Sequence, residues 1–164
     1  MNQTGRVLHL PARLENLEAF QQFALEEAQR AGLSPLATGR LELVLEEVLV
    51  NIVRYAYALP NEIAPDKVPA QTPQGGRMEI ECAQEGPGRI RFVIRDWGPA
   101  FDPLAPEEPG LTERLDANRE ADLDDRMPGG LGLLLLRTLS DAQYRREDDA
   151  NVLTLRFGGE ETDA

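Results

Sequence analysis

Apolar residues recur every three or four positions from Leu14 through Leu17, Phe20, Phe23, Ala24 and Ala28, and the run stops at Gly32. That spacing predicts an amphipathic helix. A second helical run has Ser34 as its N-cap and Pro35 at its first helical position, and continues for about six turns to Leu59-Pro60. Its apolar stripes are Val44, Val48, Leu49, Ile52 and Val53. The stretch "RVLHLP" (6–11) reads as a short strand stopped by Pro11. "RMEIECAQE" and "RIRFVIRDWG" alternate apolar with polar residues on either side of "GPG" and read as a one-faced antiparallel hairpin. "GGLGLLLLRTLS" continues from its glycines into an apolar helix. "DAQYRRED" and "NVLTLRFGG" then pair as a final hairpin expected to turn at Asp149-Ala150-Asn151. The order β-α-α-β-β-(loop)-α-β-β predicts an α/β (α+β) sandwich, a mixed, mostly antiparallel sheet with helices on one face.

Two stretches break the pattern. Residues 60–76 are rich in proline and glycine and read as a loop inside one domain, because the chain after residue 76 could not fold alone. Residues 102–128 are rich in Pro, Asp and Glu and read as the most mobile region, with at most a short helix around "LTERLDANREADL". With no internal repeat, the 164 residues are expected to form one domain, ordered over about 6–157. Lys+Arg total 17 against 29 Asp+Glu, a formal charge of -12, which disfavours nucleic acid and anionic membranes as partners. The single cysteine, Cys82, the lack of a long apolar run and a start without a signal-peptide pattern point to a cytoplasmic protein. Lys67 is the only lysine. Any polyphosphate must therefore be met by arginines, a metal ion or backbone N–H groups.

Three constellations carry candidate chemistry. In "LELVLEEVLVNIVRYAY" (41–57), Glu47 and Asn51 lie one helical turn apart, with Arg54 and Tyr55 next along that side. Polar groups on the inner half of a core helix are costly unless they meet a ligand, metal or water. In "DWGPAFDP", Asp96 ends a strand, where it can accept from an exocyclic amine, and Gly98 allows close approach to a flat ring. The glycines of "GGLG" precede an apolar helix whose free N–H groups suit an anion. No "GK[ST]" follows them, and Leu135 stands where a Rossmann fingerprint needs its third glycine. The protein-kinase fold is excluded too, since "RD" and "DWG" here belong to one strand end in too short a chain.

Taken in order, these stretches resemble the N box (E-x-x-x-N), G1 box (D-x-G-x-x-F-D) and G2 box (G-x-G before a helix) of the GHKL ATP-binding fold. The compact length, "EEVLVNIVRYAY" and "DWGPAFDP" are most similar to the bacterial anti-sigma factor serine/threonine kinases. The resemblance implies ATP and Mg²⁺ as cofactors, with Asn51 as the metal ligand and Glu47 as the general base. It implies that Asp96 accepts from adenine, that Gly98 and Ala100 lie against the nucleotide, and that Gly130, Leu131 and Gly132 close on the phosphates with the mobile 102–128 segment as a lid. Arg54 and Tyr55 would complete the phosphate end, and Thr154 would bond near adenine. The partners implied are an anti-anti-sigma protein of the STAS fold, a sigma factor, and a second copy in a homodimer. The N box ends in Tyr55-Ala56-Tyr57, where serine kinases commonly carry His-Ala-Tyr, and no arginine separates the G2 glycines. A nucleotide-gated binding module without phosphotransfer is the rival reading, and a detached histidine-kinase domain a third. His9, the only histidine, lies in the first strand and is expected to be structural.

Overall fold

The structure, a computed structural model, describes residues 5–53, 76–104 and 130–159, the last segment with side chains from Leu135 onward. Five strands, β1 (Arg6–Pro11), β2 (Arg77–Gly86), β3 (Arg89–Asp96), β4 (Asp141–Glu147) and β5 (Ala150–Gly158), form one sheet in the order β1-β2-β3-β5-β4. Three helices, α1 (Leu17–Ala31), α2 (Pro35–Asn51) and α3 (Gly130–Leu139), complete the described fold. Every described pairing is antiparallel. The expected mixed character is not met among the described strands: β2–β3 and β4–β5 are tight hairpins, which force antiparallel pairing, and β1 joins β2, and β5 joins β3, antiparallel as well.

Register explains the one-sided core. Leu8, Ile80, Ile94, Leu153 and Tyr144 form one transverse row across all five strands. Successive side chains on a strand point to opposite faces, so this row and its even-spaced neighbours Cys82, Phe92, Leu155 and Ala142 share a face. On that face they join Phe20, Ala24 and Ala28 of α1, Leu41, Val44, Leu45, Val48 and Leu49 of α2, and Leu136 of α3 in the main core. The other face is a lattice of charge: Arg95 bonds Glu79 at 3.0 Å and Glu81 at 3.1 Å, while Arg91 and Arg156 share Glu85. Among its apolar residues, Val93, Ala150 and Val152 pack with Trp97, which stacks on His9 (6.1 Å) and lies under the Arg77 guanidinium (4.3 Å). His9 thus holds the structural place expected of it.

The helix ends follow the sequence. Ser34 Oγ accepts from the Ala37 N–H at 3.1 Å, satisfying one orphan donor of α2. Gly32 closes α1 in the left-handed conformation. Leu14, counted into the apolar stripe, is instead 58 % exposed. It opens a separate 3₁₀ turn, Leu14–Asn16, whose three-residue period takes it off the stripe. The last hairpin also turns earlier than expected: Asp148 and Asp149, both with positive φ, make the turn, and Asn151 is already in β5. A two-residue loop of left-handed residues matches strand twist, and aspartate tolerates that conformation better than most residues.

One corner fixes the layers relative to each other. The Gly88 N–H, in the β2–β3 turn, donates to the Ala31 carbonyl at the end of α1 (2.8 Å). Gly158 packs there with φ +89°, where any Cβ would collide with the Gly88 backbone. From this corner α2 runs about 25 Å and β3 about as far. β3 ends at Asp96, at the far end of the strand from this corner.

Candidate functional site

At that end the helix-facing row changes character. The row beyond Leu8-Ile80-Ile94-Leu153-Tyr144 is Leu10, Met78, Asp96, Asn151 and Arg146. Two hydrophobic positions thus give way to three polar ones. Asp96 is 7 % and Asn151 6 % exposed, so both need partners, and they supply them to each other. Asp96 Oδ1 accepts from the Gly98 N–H and from Asn151 Nδ2, each at 3.0 Å. Asn151 Nδ2 also donates to the Pro99 carbonyl (2.9 Å), and its Oδ1 accepts from the Phe101 N–H (3.1 Å) and the Tyr144 hydroxyl (2.6 Å). Arg146 donates to the Gly98 carbonyl at 2.8 Å. The 97–101 loop is thereby stitched to the β4–β5 hairpin through Gly98, Pro99 and Phe101, while Ala100 beside them is exposed.

Burial pushes the Asp96 carboxyl above its ordinary range, opposed by the bonds from Asn151 and Gly98 and by the nearby Arg146 charge. The described hydrogen bonds all fall on Oδ1. Oδ2 is left to accept from an incoming donor, the property the sequence points to at this strand end.

The second half of the site lies on α2. Leu41, Val44, Leu45, Val48 and Leu49 face the core, which leaves Glu47 and Asn51 half-buried on the flank, one turn apart as their spacing requires. None of the described hydrogen bonds or ion pairs engages either side chain. Glu47 is held above the usual carboxylate range, first by desolvation and then by the adjacent Glu46 charge. A carboxylate so raised is a better proton acceptor than a solvated one. Beyond Asn51 the helix widens to π-type winding at Ile52 and Val53, an irregularity common at functional sites.

Among the remaining sequence candidates, Gly130, Leu131 and Gly132 form the first turn of α3, where N–H groups lack intrahelical partners. Arg54, Tyr55 and nearly all of the expected 102–128 lid lie outside the described residues. Thr154 is placed apart from the rest. It pairs with Val93 and Gln143 in a row belonging to the charged face, so its side chain and that of Asp96 lie on opposite sides of the sheet. Alternation along β5 gives the reason: Asn151, Leu153, Leu155 and Phe157 face the helices, and the even positions do not. Asn151 is the residue the sequence reading missed.

The fold agrees with what the chain is similar to. A model of the histidine kinase-like ATPase domain matches residues 10–157. The serine/threonine-protein kinase BtrW of Bordetella bronchiseptica is 34 % identical over 116 residues, covering 70 % of this chain and 66 % of that protein, slightly less than two thirds of its length. With its antiparallel sheet, its helical layer and a family model matched over residues 10–157, the chain belongs to the histidine kinase-like ATPase domain family.

Proposed function

We propose that this protein is an ATP-dependent serine/threonine protein kinase of the anti-sigma type, which binds and phosphorylates an anti-anti-sigma protein of the STAS fold. The observation that carries the reading is Glu47: a half-buried carboxylate, engaged by none of the described hydrogen bonds or ion pairs, one turn before Asn51, in a chain where Asp96 offers an acceptor to a base. Likeness to a named serine/threonine kinase supports serine, rather than histidine, as the acceptor.

In this reading the adenine amino group donates to Asp96 Oδ2, and the triphosphate extends toward α2 and the first turn of α3. Glu47 takes the proton of the attacking serine hydroxyl. Bound Mg²⁺ would neutralise phosphate charge, with the Asn51 amide oxygen as its protein ligand. The chemistry fits: an amide oxygen is a hard ligand suited to Mg²⁺, which is held by one or two protein oxygens together with phosphates and water. The regulatory consequence is partner switching. The protein, as a homodimer, would hold a sigma factor until an unphosphorylated antagonist displaces it, and phosphorylating that antagonist would restore the hold.

Calorimetric titration with ATP, with and without Mg²⁺, on wild type and Asn51→Ala, tests the nucleotide site. Binding should require both the metal and Asn51. A phosphotransfer assay on a STAS-domain protein then tests the reaction, which should yield acid-stable phosphoserine. ATP binding with no transfer to any STAS protein would replace the kinase with a nucleotide-gated binding module, and acid-labile phosphate would indicate histidine as acceptor.

A further inference from the structure

The four hydrogen bonds of Asn151 assign it a role beyond packing. A backbone N–H can only donate and a backbone carbonyl can only accept, so the Phe101 N–H and the Pro99 carbonyl permit one orientation of the Asn151 amide. In that orientation Nδ2 must point a hydrogen at Asp96 Oδ1. The Tyr144 hydroxyl, at 2.6 Å from Asn151 Oδ1, braces the same orientation from β4. Turning the amide over would set its NH₂ against the Phe101 N–H and its oxygen against both the Pro99 carbonyl and the Asp96 carboxylate.

We infer that Asn151 is a positioning residue for nucleobase selection: it fixes Asp96 as an acceptor whose free oxygen takes a base amino group and rejects a base carbonyl. The inference rests on the reading of Asp96 as the base acceptor and adds how its selectivity is enforced. Two donors on Oδ1 hold the carboxylate in one rotamer and work against the upward push of burial, favouring the ionised form, which has no hydrogen to give. A 6-oxo purine would then bring lone pairs against lone pairs in a buried, poorly solvated place. The Arg146 bond to the Gly98 carbonyl keeps the Gly98 N–H aimed at the same oxygen, so the β4–β5 hairpin enforces the choice as a unit.

The test compares ATP with inosine triphosphate, which has a carbonyl at the position of the adenine amino group, by titration calorimetry on the full chain. Wild type should favour ATP by about ten- to a hundredfold, the discrimination one well-placed base contact supplies. Asn151→Ala should lower ATP affinity while leaving inosine triphosphate nearly unchanged, so that the ratio contracts several-fold. Asn151→Thr, whose hydroxyl can still donate to Asp96, should recover much of the ratio. The milder Tyr144→Phe, which loosens the brace without touching Asp96, should contract it slightly and remains informative should Asn151→Ala unfold. Equal weakening of both nucleotides by the Asn151 variants would reduce the residue to a structural one and overturn the inference. A different result sinks the reading beneath it: wild type that binds neither nucleotide, or an Asp96→Asn variant with the wild-type ratio.

Discussion

The two halves of the site are built on opposite plans. Asp96 and Asn151 lie among partners, every described contact made within the protein, in a loop that the β4–β5 hairpin holds at Gly98, Pro99 and Phe101. Glu47 and Asn51 sit one turn apart on a well-packed helix with no described partner for either side chain. On the proposed reading, the base end is preorganised before a nucleotide arrives, whereas the reacting end is left with unused hydrogen-bonding capacity. Preorganised polar groups bind without reorganising, and unpartnered ones remain free to act on what is bound.

Substitutions at either end put this contrast at risk. The largest effect is expected from Glu47→Gln, which should slow phosphotransfer by about 10²–10⁴-fold. ATP affinity should stay within a few-fold, as read by single-turnover transfer and calorimetry; unchanged transfer would end the distinction between a reacting end and a binding end. Tyr144→Phe at the other end should cost about 1 kcal/mol of fold stability, since it removes one donor to a buried amide oxygen. Denaturant unfolding would measure it, and a cost near zero would mean that the base end is less closely braced than its distances indicate.

A smaller effect concerns pH. Because the folded-state pKa of Glu47 is raised above its ordinary 4.5, its ionised form opposes folding. That opposition is complete above the raised value and fades as pH falls toward 4.5, below which the folded and unfolded states both carry the proton. Wild type should therefore gain melting temperature relative to Glu47→Gln as pH drops through that window. A difference that grew in the other direction would place Glu47 among stabilising partners. The smallest change is expected on the charged face, where Arg156→Gln should shift stability by less than about 1 kcal/mol and leave ATP binding unaltered.

Most of this architecture was legible in the sequence because burial on one side of a sheet imposes a period of two, and a core helix a period of 3.6. The first strand, both hairpins and the long helix follow from those periods alone. The site was legible in part. Glu47 and Asn51 stand out because carboxylate and amide interrupt an apolar helix, and Asp96 because it ends an apolar row. Asn151 was hidden by its neighbours: Asp148, Asp149 and Asn151 are all good turn formers, and composition cannot say which two residues make the turn. The signal was nevertheless present in the alternation. Asn151 heads the odd-numbered row Leu153, Leu155, Phe157 as Asp96 caps the even-numbered row Ile90, Phe92, Ile94, and the same count assigns Thr154 to the far face. A strand residue inferred by likeness is best checked by its parity before its chemistry.

Trp97 makes this arrangement useful at the bench. It is the only tryptophan in the chain, joined to Asp96 by one peptide bond, yet it packs on the charged face between His9 and Arg77. The protein thus carries a built-in optical label on the reverse side of the residue proposed to read the base, close enough for its emission to follow changes in the 96–101 loop. Nothing need be attached to the molecule, and the indole does not share the helix-facing side of the sheet with the nucleotide it would report.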